Sequence, residues 1–346
     1  IIATLGPATF KKDKIHDLLF AGVNVFRINM SYEIDIDFLK EVMQWSYDEA
    51  KKIDSSIAIL FDLCGPKIRV GKLNKNNFMV IEKGKIYSLG NKDCNIPLNI
   101  PLSFSSISEK AFVKVDDGSL SFEIVESSED HISILSHDSG KIFSGKGVNF
   151  PGIKLNLPSV TEKDLKDIEQ AVNLGADWIA MSFVRSSNDY GIIKNILDEH
   201  NAQIPIIAKI EKPEAIDDLD GIINKFDGIL IARGDLGVEM SLQELPILQK
   251  RIVNQCLQKQ KPVIIATQMM ESMIRNSSPT RAEVNDIANA IYDGADAVML
   301  SGETAIGDFP IESVSMMSKI ANSVEKDCDL QNFNRYIHQE VMSNDE

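Results

Sequence analysis

Eight short apolar runs punctuate the 346-residue chain, and their character limits the fold more than any other feature. They are Ile1–Leu5, Val23–Ile28, Ile57–Phe61, Trp178–Met181, Ile204–Ile210, Gly228–Ala232, Val263–Ala266 and Ala297–Leu300. Most are rich in Ile and Val, and they lack the polar–apolar alternation of a half-wet strand. Strands of that kind are buried on both faces, as in a parallel sheet covered by helices. Helical patterns lie between them. Leu165, Ile168 and Val172 recur at helical spacing after Thr161, and the pairs Ser241–Glu244 and Thr280–Glu283 each fit a capping box. Eight strand–helix units predict an α/β fold, a (β/α)8 barrel of the TIM type.

One interval breaks the rhythm. Residues 67–157 alternate instead, as in Leu120-Ser121-Phe122-Glu123-Ile124 and His131-Ile132-Ser133-Ile134-Leu135, with Gly- and Asn-rich breaks between such stretches. This predicts a small β-barrel-like lid domain inserted after the third barrel strand. The catalytic barrel is then discontinuous, residues 1–66 and 158–330. Those segments total about 240 residues, close to the roughly 250 of a single barrel. Residues 331–346 are polar with little periodicity and read as a tail or the start of a further C-terminal domain. The first residues lack a basic leader and a cleavage site, and read as a strand entered partway.

The formal charge of −15 argues against nucleic acid as a partner, because phosphate backbones attract basic surfaces. No apolar run approaches the roughly 18 residues of a membrane span, so no membrane association is expected. Cys64, Cys94, Cys256 and Cys328 match no disulfide or zinc spacing, which fits a reducing compartment. The expected location is the cytoplasm, with a plastid-type organelle as the alternative.

In (β/α)8 barrels, chemistry sits at the carboxyl ends of the strands. Every apolar run here ends on polar groups: Thr4; Arg27 and Asn29; Asp62; Ser182; Lys209 and Glu211; Arg233-Gly234-Asp235; Thr267; and Ser301-Gly302-Glu303. Glu211 and Asp235, on neighbouring strands, can bind one hard divalent cation through oxygen. Arg27, Lys209 and Arg69 are cations expected at the same mouth. Cations beside a carboxylate-held metal suit a phosphoryl group, whose charge must be neutralised as it moves. Gly234-Asp235 opens a turn whose backbone N–H groups can receive a carboxylate. The residues thus point to a metal-dependent barrel handling a small phosphorylated acid. The five histidines match no ligand spacing and read as ordinary surface residues.

An ordered set of segments resembles the pyruvate kinases. It comprises Ala3-Thr4-Leu5-Gly6-Pro7-Ala8, Gly22–Ser31, Gly65-Pro66-Lys67-Ile68-Arg69, Asp116-Asp117-Gly118, Lys146-Gly147-Val148-Asn149 and Lys209-Ile210-Glu211. It continues with Ala232–Gly237, Ala266-Thr267-Gln268-Met269, Pro279–Glu283 and Leu300–Ala305. The resemblance implies transfer of the phosphoryl group of phosphoenolpyruvate to ADP, giving pyruvate and ATP. By the same resemblance Glu211 and Asp235 hold Mg2+ (or Mn2+), and Lys209 stabilises the phosphoryl group and the enolate. The substrate carboxylate would meet Gly234, Asp235 and Thr267, with Ser182 nearby. Arg27, Asn29, Arg69 and Lys146 would serve the nucleotide and its phosphates. Thr267 and Ser301 would lie near the path that protonates carbon. Pro279–Glu283 is expected as a helix start and subunit contact, giving a homo-oligomer through the barrel face near Arg281.

Three departures from the family pattern stand out. Lys67 replaces a Glu that many members have, and Leu63 replaces a Thr, at a site where those members bind K+. The oxygens expected at that monovalent site come from Asn29, Ser31, Asp62 and Leu63. An ammonium at 67 can supply the same single charge, so K+ is expected not to be required. Tyr32-Glu33 stands where the family has His-Gly, a position associated with nucleotide phosphates. The family also continues into a further C-terminal domain, whereas this chain stops shortly after the eighth barrel helix. Two other readings compete: a different metal-dependent barrel enzyme of pyruvate or phosphoenolpyruvate, such as an aldolase or lyase, and a non-catalytic relic. A relic should have lost Lys209, Glu211, Asp235 or Thr267, and all four are in place.

Overall fold

The computed structural model describes residues 1–343 apart from 74–76, 92, 106, 108 and 109, with side chains to residue 328. In chain order the strands begin with β1 (Ile2–Thr4), β2 (Val25–Asn29) and β3 (Ala58–Asp62). The insertion follows with β4 (Phe78–Ile81), β5 (Ile86–Gly90), β6 (Ile96–Pro97), β7 (Phe112–Val115), β8 (Leu120–Ser127), β9 (His131–Ser136), β10 (Gly140–Phe143) and β11 (Val148–Asn149). The chain then returns through β12 (Trp178–Met181), β13 (Ile206–Ile210), β14 (Gly228–Ala232), β15 (Val263–Ala266) and β16 (Ala297–Leu300). Strands β1–β3 and β12–β16 close into one parallel barrel, with β1 joining β2 to β16 and β3 pairing with β12 across the insertion. The expected (β/α)8 barrel with an inserted β lid is the observed fold.

The absence of alternation in the eight runs has a direct cause. Successive strand residues face opposite ways. In β3, Leu60 joins Ile2, Ile207, Leu230 and Ile264 inside the barrel, while Ile59 and Phe61 pack outward under the helices. Both faces are dry, so both are apolar.

One of the two expected capping boxes forms, and a further one forms at Thr161. Thr280 caps the helix Arg281–Tyr292 with a full capping box through Glu283. Thr161 does the same for Glu162–Leu174 through Asp164. Ser241 accepts no capping bond; a short 3-10 turn, Leu242–Glu244, leads instead into Leu245–Gln258, which carries a proline in its first turn. Proline needs no N–H partner there, and its fixed φ suits a helix start. The stripe read after Thr161 is also narrower than expected. Ile168 is fully buried, but Leu165 is 45% exposed. The helix Pro310–Ser343 runs on through most of the segment that reads as a tail.

Between β3 and β12, six strands form one sheet in the order β11-β7-β8-β9-β5-β6, and β4 pairs with β10. The alternation seen in sequence is the alternation of burial. Leu120, Phe122 and Ile124 of β8 and Ile132 and Ile134 of β9 face a core of their own, with Phe104 and Phe150. Among the described residues, no helix is long and apolar enough to cross a membrane.

Candidate active site

Asp62, at the end of β3 and 1% exposed, is the hub of the barrel mouth. Parallel register sets Asn29 beside it on β2 and Ala180 on β12. Arg27 Nε donates to one Asp62 oxygen at 2.6 Å, and Lys209 Nζ to the other at 3.0 Å. Arg27 Nη1 continues to Thr4 Oγ1 at 2.9 Å, and Thr4 donates to the Leu300 carbonyl. Lys209 also donates to Ser182 Oγ at 2.7 Å and pairs with Glu211 Oε1 at 3.0 Å, while Ser182 donates to the Leu63 carbonyl at 2.6 Å. One connected network thus ties together the ends of β1, β2, β3, β12 and β13. Burial disfavours the Lys209 ammonium, but Asp62 and Glu211 outweigh that and hold its pKa above the ordinary value. Burial likewise works against ionised Asp62, yet Arg27 and Lys209 keep it below the usual carboxylate range.

Glu211 follows directly on β13. Its Oε2 accepts the Phe183 N–H at 2.8 Å, and Phe183 holds a left-handed φ of 55°. Such a φ is strained for a bulky residue and persists only where surroundings enforce it. Asp235 lies in the first turn of the helix Arg233–Glu239, where its Oδ1 accepts from Lys67 Nζ at 2.7 Å. Burial lifts Glu211 above the ordinary range; Lys209 opposes this and Asp235 adds to it by repulsion. Burial also pushes Asp235 up, but Lys67 prevails and leaves it low. A buried Glu211 and a half-buried Asp235 close enough to repel, with hard oxygen donors, fit a divalent cation. Among the described residues there is no cluster of three or more His, Cys, Asp or Glu suited to a metal ion. A cation held here would therefore complete its shell with substrate oxygens and water.

Thr267 follows β15. Its hydroxyl accepts the Gly234 N–H at 2.7 Å and donates to the Ala266 carbonyl at 2.6 Å. The Gly234 amide expected to receive a substrate carboxylate therefore already has an acceptor. Among the described residues the buried Ser301 hydroxyl finds no hydrogen-bond partner. It borders a cavity of about 360 Å3 that is also lined by Thr4, Arg27, Asn29, Pro7, Phe10, Tyr32 and Ile34. Volumes of this order hold small-molecule ligands. Asn29 Oδ1 accepts the Ser31 N–H at 3.1 Å, so each oxygen named for the monovalent site on Asn29, Asp62 and Leu63 has a protein donor.

Two expected cations sit elsewhere. Arg69 Nη1 donates to the Gly145 carbonyl at 3.0 Å, and Lys146 pairs with Asp116 at 2.8 Å, so both are held within the lid. Asp116 and Asp117 both have positive φ, as turn residues do. Beside Lys209 on Glu211, the cation on the second carboxylate, Asp235, is Lys67, which sequence reading linked to the monovalent site. Alternation along the chain after Pro66 cannot tell which of Lys67 and Arg69 turns toward the barrel. Sequence reasoning also missed the Phe183 amide on Glu211 and the Gly65 amide on Asp164, at 3.0 Å. Backbone donors leave no signature in residue identity.

The family description "Pyruvate kinase, barrel domain" matches residues 1–314. Pyruvate kinase 2 of Synechocystis sp. is 41% identical over 94% of this chain and 56% of its own length. The pyruvate kinase of Corynebacterium efficiens is 41% identical over 94% of this chain and 70% of its own. That of Thermococcus litoralis is 42% identical, covering 94% of this chain and 69% of its own. The chain thus spans between about half and about two thirds of the length of these relatives. A match this long, laid over a closed barrel with Lys209, Glu211 and Asp235 at one mouth, makes the chain a member of the pyruvate kinase family.

Proposed function

We propose that the protein transfers the phosphoryl group of phosphoenolpyruvate to ADP. The bond between phosphorus and the enol oxygen breaks, a new one forms to the terminal ADP oxygen, and enolpyruvate gains a proton at carbon to give pyruvate. The observation that carries this reading is the Lys209 ammonium, 3.0 Å from Glu211 and braced by Asp62 and Ser182. The relatives' names favour it over an aldolase or lyase.

Glu211 and Asp235 would hold Mg2+ (or Mn2+), which supplies charge neutralisation at the phosphoryl oxygens. Lys209 stabilises the phosphoryl group and the enolate where negative charge accumulates, usually the largest single catalytic contribution. Its ion pairs with Asp62 and Glu211 hold it in place as a cation, and the proton delivered to carbon is assigned to another group. The hydroxyls of Thr267 and Ser301 are the groups assigned to that path. The backbone of Gly234 and Asp235 receives the substrate carboxylate together with Thr267, whose hydroxyl must then turn from the Gly234 amide. Ser182 fixes the Lys209 ammonium. The nucleotide takes the cavity beside Arg27 and Asn29, its base against Phe10, Tyr32 and Ile34. We take residues 67–157 as a lid; its Arg69 and Lys146 reach the nucleotide when it closes and expels water.

Lys67 places an ammonium 2.7 Å from Asp235 at the mouth, so turnover is proposed not to require K+. The exposed start of the helix at Arg281 is proposed as the contact of a homo-oligomer, which light scattering would detect. The cytoplasm is the proposed site of action. Protein mixed with Mg2+, ADP and phosphoenolpyruvate should release pyruvate, read by a coupled dehydrogenase. Absence of pyruvate despite measured phosphoenolpyruvate binding refutes the reaction.

A further inference from the structure

Thr267 and Gln268 are consecutive residues in the left-handed region, with φ of 68° and 52°. Glycine visits that region freely, but other residues rarely do, and a β-branched threonine is among the least suited. Two such residues in sequence need something to hold them. The Gln268 side chain is exposed, so the restraint comes from the backbone side.

That restraint is Arg233. Its Nη2 donates to the Thr267 carbonyl at 2.8 Å and to the Gln268 carbonyl at 3.0 Å, and its Nε reaches the Thr267 carbonyl at 3.2 Å. Nη1 pairs with Asp286 Oδ2 at 2.6 Å, which anchors the guanidinium on the helix Arg281–Tyr292. The Arg233 side chain is 8% exposed, so its charge has left water and depends on these partners. The next residue grips the same threonine from its other end, because Gly234 N–H donates to Thr267 Oγ1. A Cβ on Gly234 would lie 3.3 Å from that oxygen, which is why the approach favours glycine.

We propose that Arg233 is a positioning residue for Thr267: its fork on the two strained carbonyls, braced by Asp286, fixes the turn that carries the threonine, so that its hydroxyl, on leaving the Gly234 amide when substrate binds, meets the substrate carboxylate and the protonated carbon. Lysine cannot replace it, since one ammonium does not reproduce the planar fork. The proposal rests on the phosphoryl-transfer reading for its catalytic consequence, and on geometry alone for the turn.

The test compares wild type with Arg233→Lys, Arg233→Met and Asp286→Asn, and with Gln268→Gly alone and added to Arg233→Met. A misplaced reacting group lowers turnover by about 10²-fold, so kcat of Arg233→Met should fall on that scale while KM for ADP stays nearly unchanged. Arg233→Lys should fall similarly although it keeps the charge. Exchange of pyruvate methyl protons in D2O should slow in parallel. Gln268→Gly should be close to wild type by itself. In the Arg233→Met background it should restore much of the loss, because glycine adopts positive φ without the arginine. Hydrogen exchange across residues 266–270 should quicken in Arg233→Met, whatever the activity. If Arg233→Met does not fold, Arg233→Lys carries the same comparison. Wild-type exchange rates in that segment overturn the clamp; so does an unaltered kcat in a folded variant, or a loss that Gln268→Gly leaves unchanged. Failure of wild type to make pyruvate refutes the phosphoryl-transfer reading instead, and the exchange measurement still decides the turn.

Discussion

Lys209→Met separates what the ammonium does for the fold from what it does for turnover. Methionine keeps an unbranched stem and deletes the charge. Lys209 lies 3.0 Å from both Asp62 and Glu211, and its side chain is 10% exposed. Removing one partner of a buried ion pair costs about 3–5 kcal/mol, because the other charge is stranded. Here the loss should fall near the low end, about 3 kcal/mol, for two reasons. Arg27 still covers Asp62 at 2.6 Å, and burial already inclines Glu211 toward its neutral form. Removing a donor aimed at developing negative charge lowers kcat by about 10²–10³, or roughly 2.7–4 kcal/mol. Affinity for phosphoenolpyruvate should change less, since the charge is needed most in the transition state. Urea denaturation, substrate titration and the coupled pyruvate assay read the three quantities. Glu211→Gln in the same background should recover stability and leave turnover lost, showing that the two effects are separate. A kcat within about tenfold of wild type, roughly 1.4 kcal/mol, would falsify the role assigned to Lys209.

Other perturbations are simpler. Rates in Na+ or tetramethylammonium should match those in K+, and a large drop without K+ would sink the idea that Lys67 supplies the monovalent charge. Thr161→Ala and Thr280→Ala should each cost about 1 kcal/mol in chemical denaturation, because both caps are hydrogen-bonded, whereas Ser241→Ala should change little. Equal losses at all three would contradict the capping geometry. Burial pushes the Cys256 thiol up to about 12, favouring its neutral form in the fold. Its contribution to stability is complete below the unfolded thiol value and fades as pH rises from there toward 12. Iodoacetamide at mildly alkaline pH should therefore label Cys256 only after denaturant is added, as read by mass spectrometry; rapid labelling of the native protein would refute its burial.

Much of the architecture was legible because burial leaves a periodic trace. The run Gly228–Ala232 is the strand β14, and Val263–Ala266 is β15, residue for residue. The alternation in Leu120–Ile124 and His131–Leu135 likewise became the inner and outer faces of β8 and β9. The family pattern also named the residues that meet at the mouth, because strand ends of one barrel share one rim. Leu165 and Ser241 went otherwise, since a stripe or a cap signal says nothing of what packs beside it.

Which charges touch is a different kind of information. Lys67 and Asp235 stand 168 positions apart, and no local rule joins them. Arg69, two residues from Lys67, turns instead to the Gly145 carbonyl. Arg233 reads in sequence as one more strand-end cation, yet its guanidinium faces the backbone of Thr267 and Gln268. The chain's own residues thus determine where strands run and which side groups gather at their ends. The pairing of those groups and the left-handed turns at Phe183 and Thr267 were decided only when the barrel closed. Short-range periodicity encodes solvent exposure, whereas ion pairs and strained backbone depend on distances that closure alone creates.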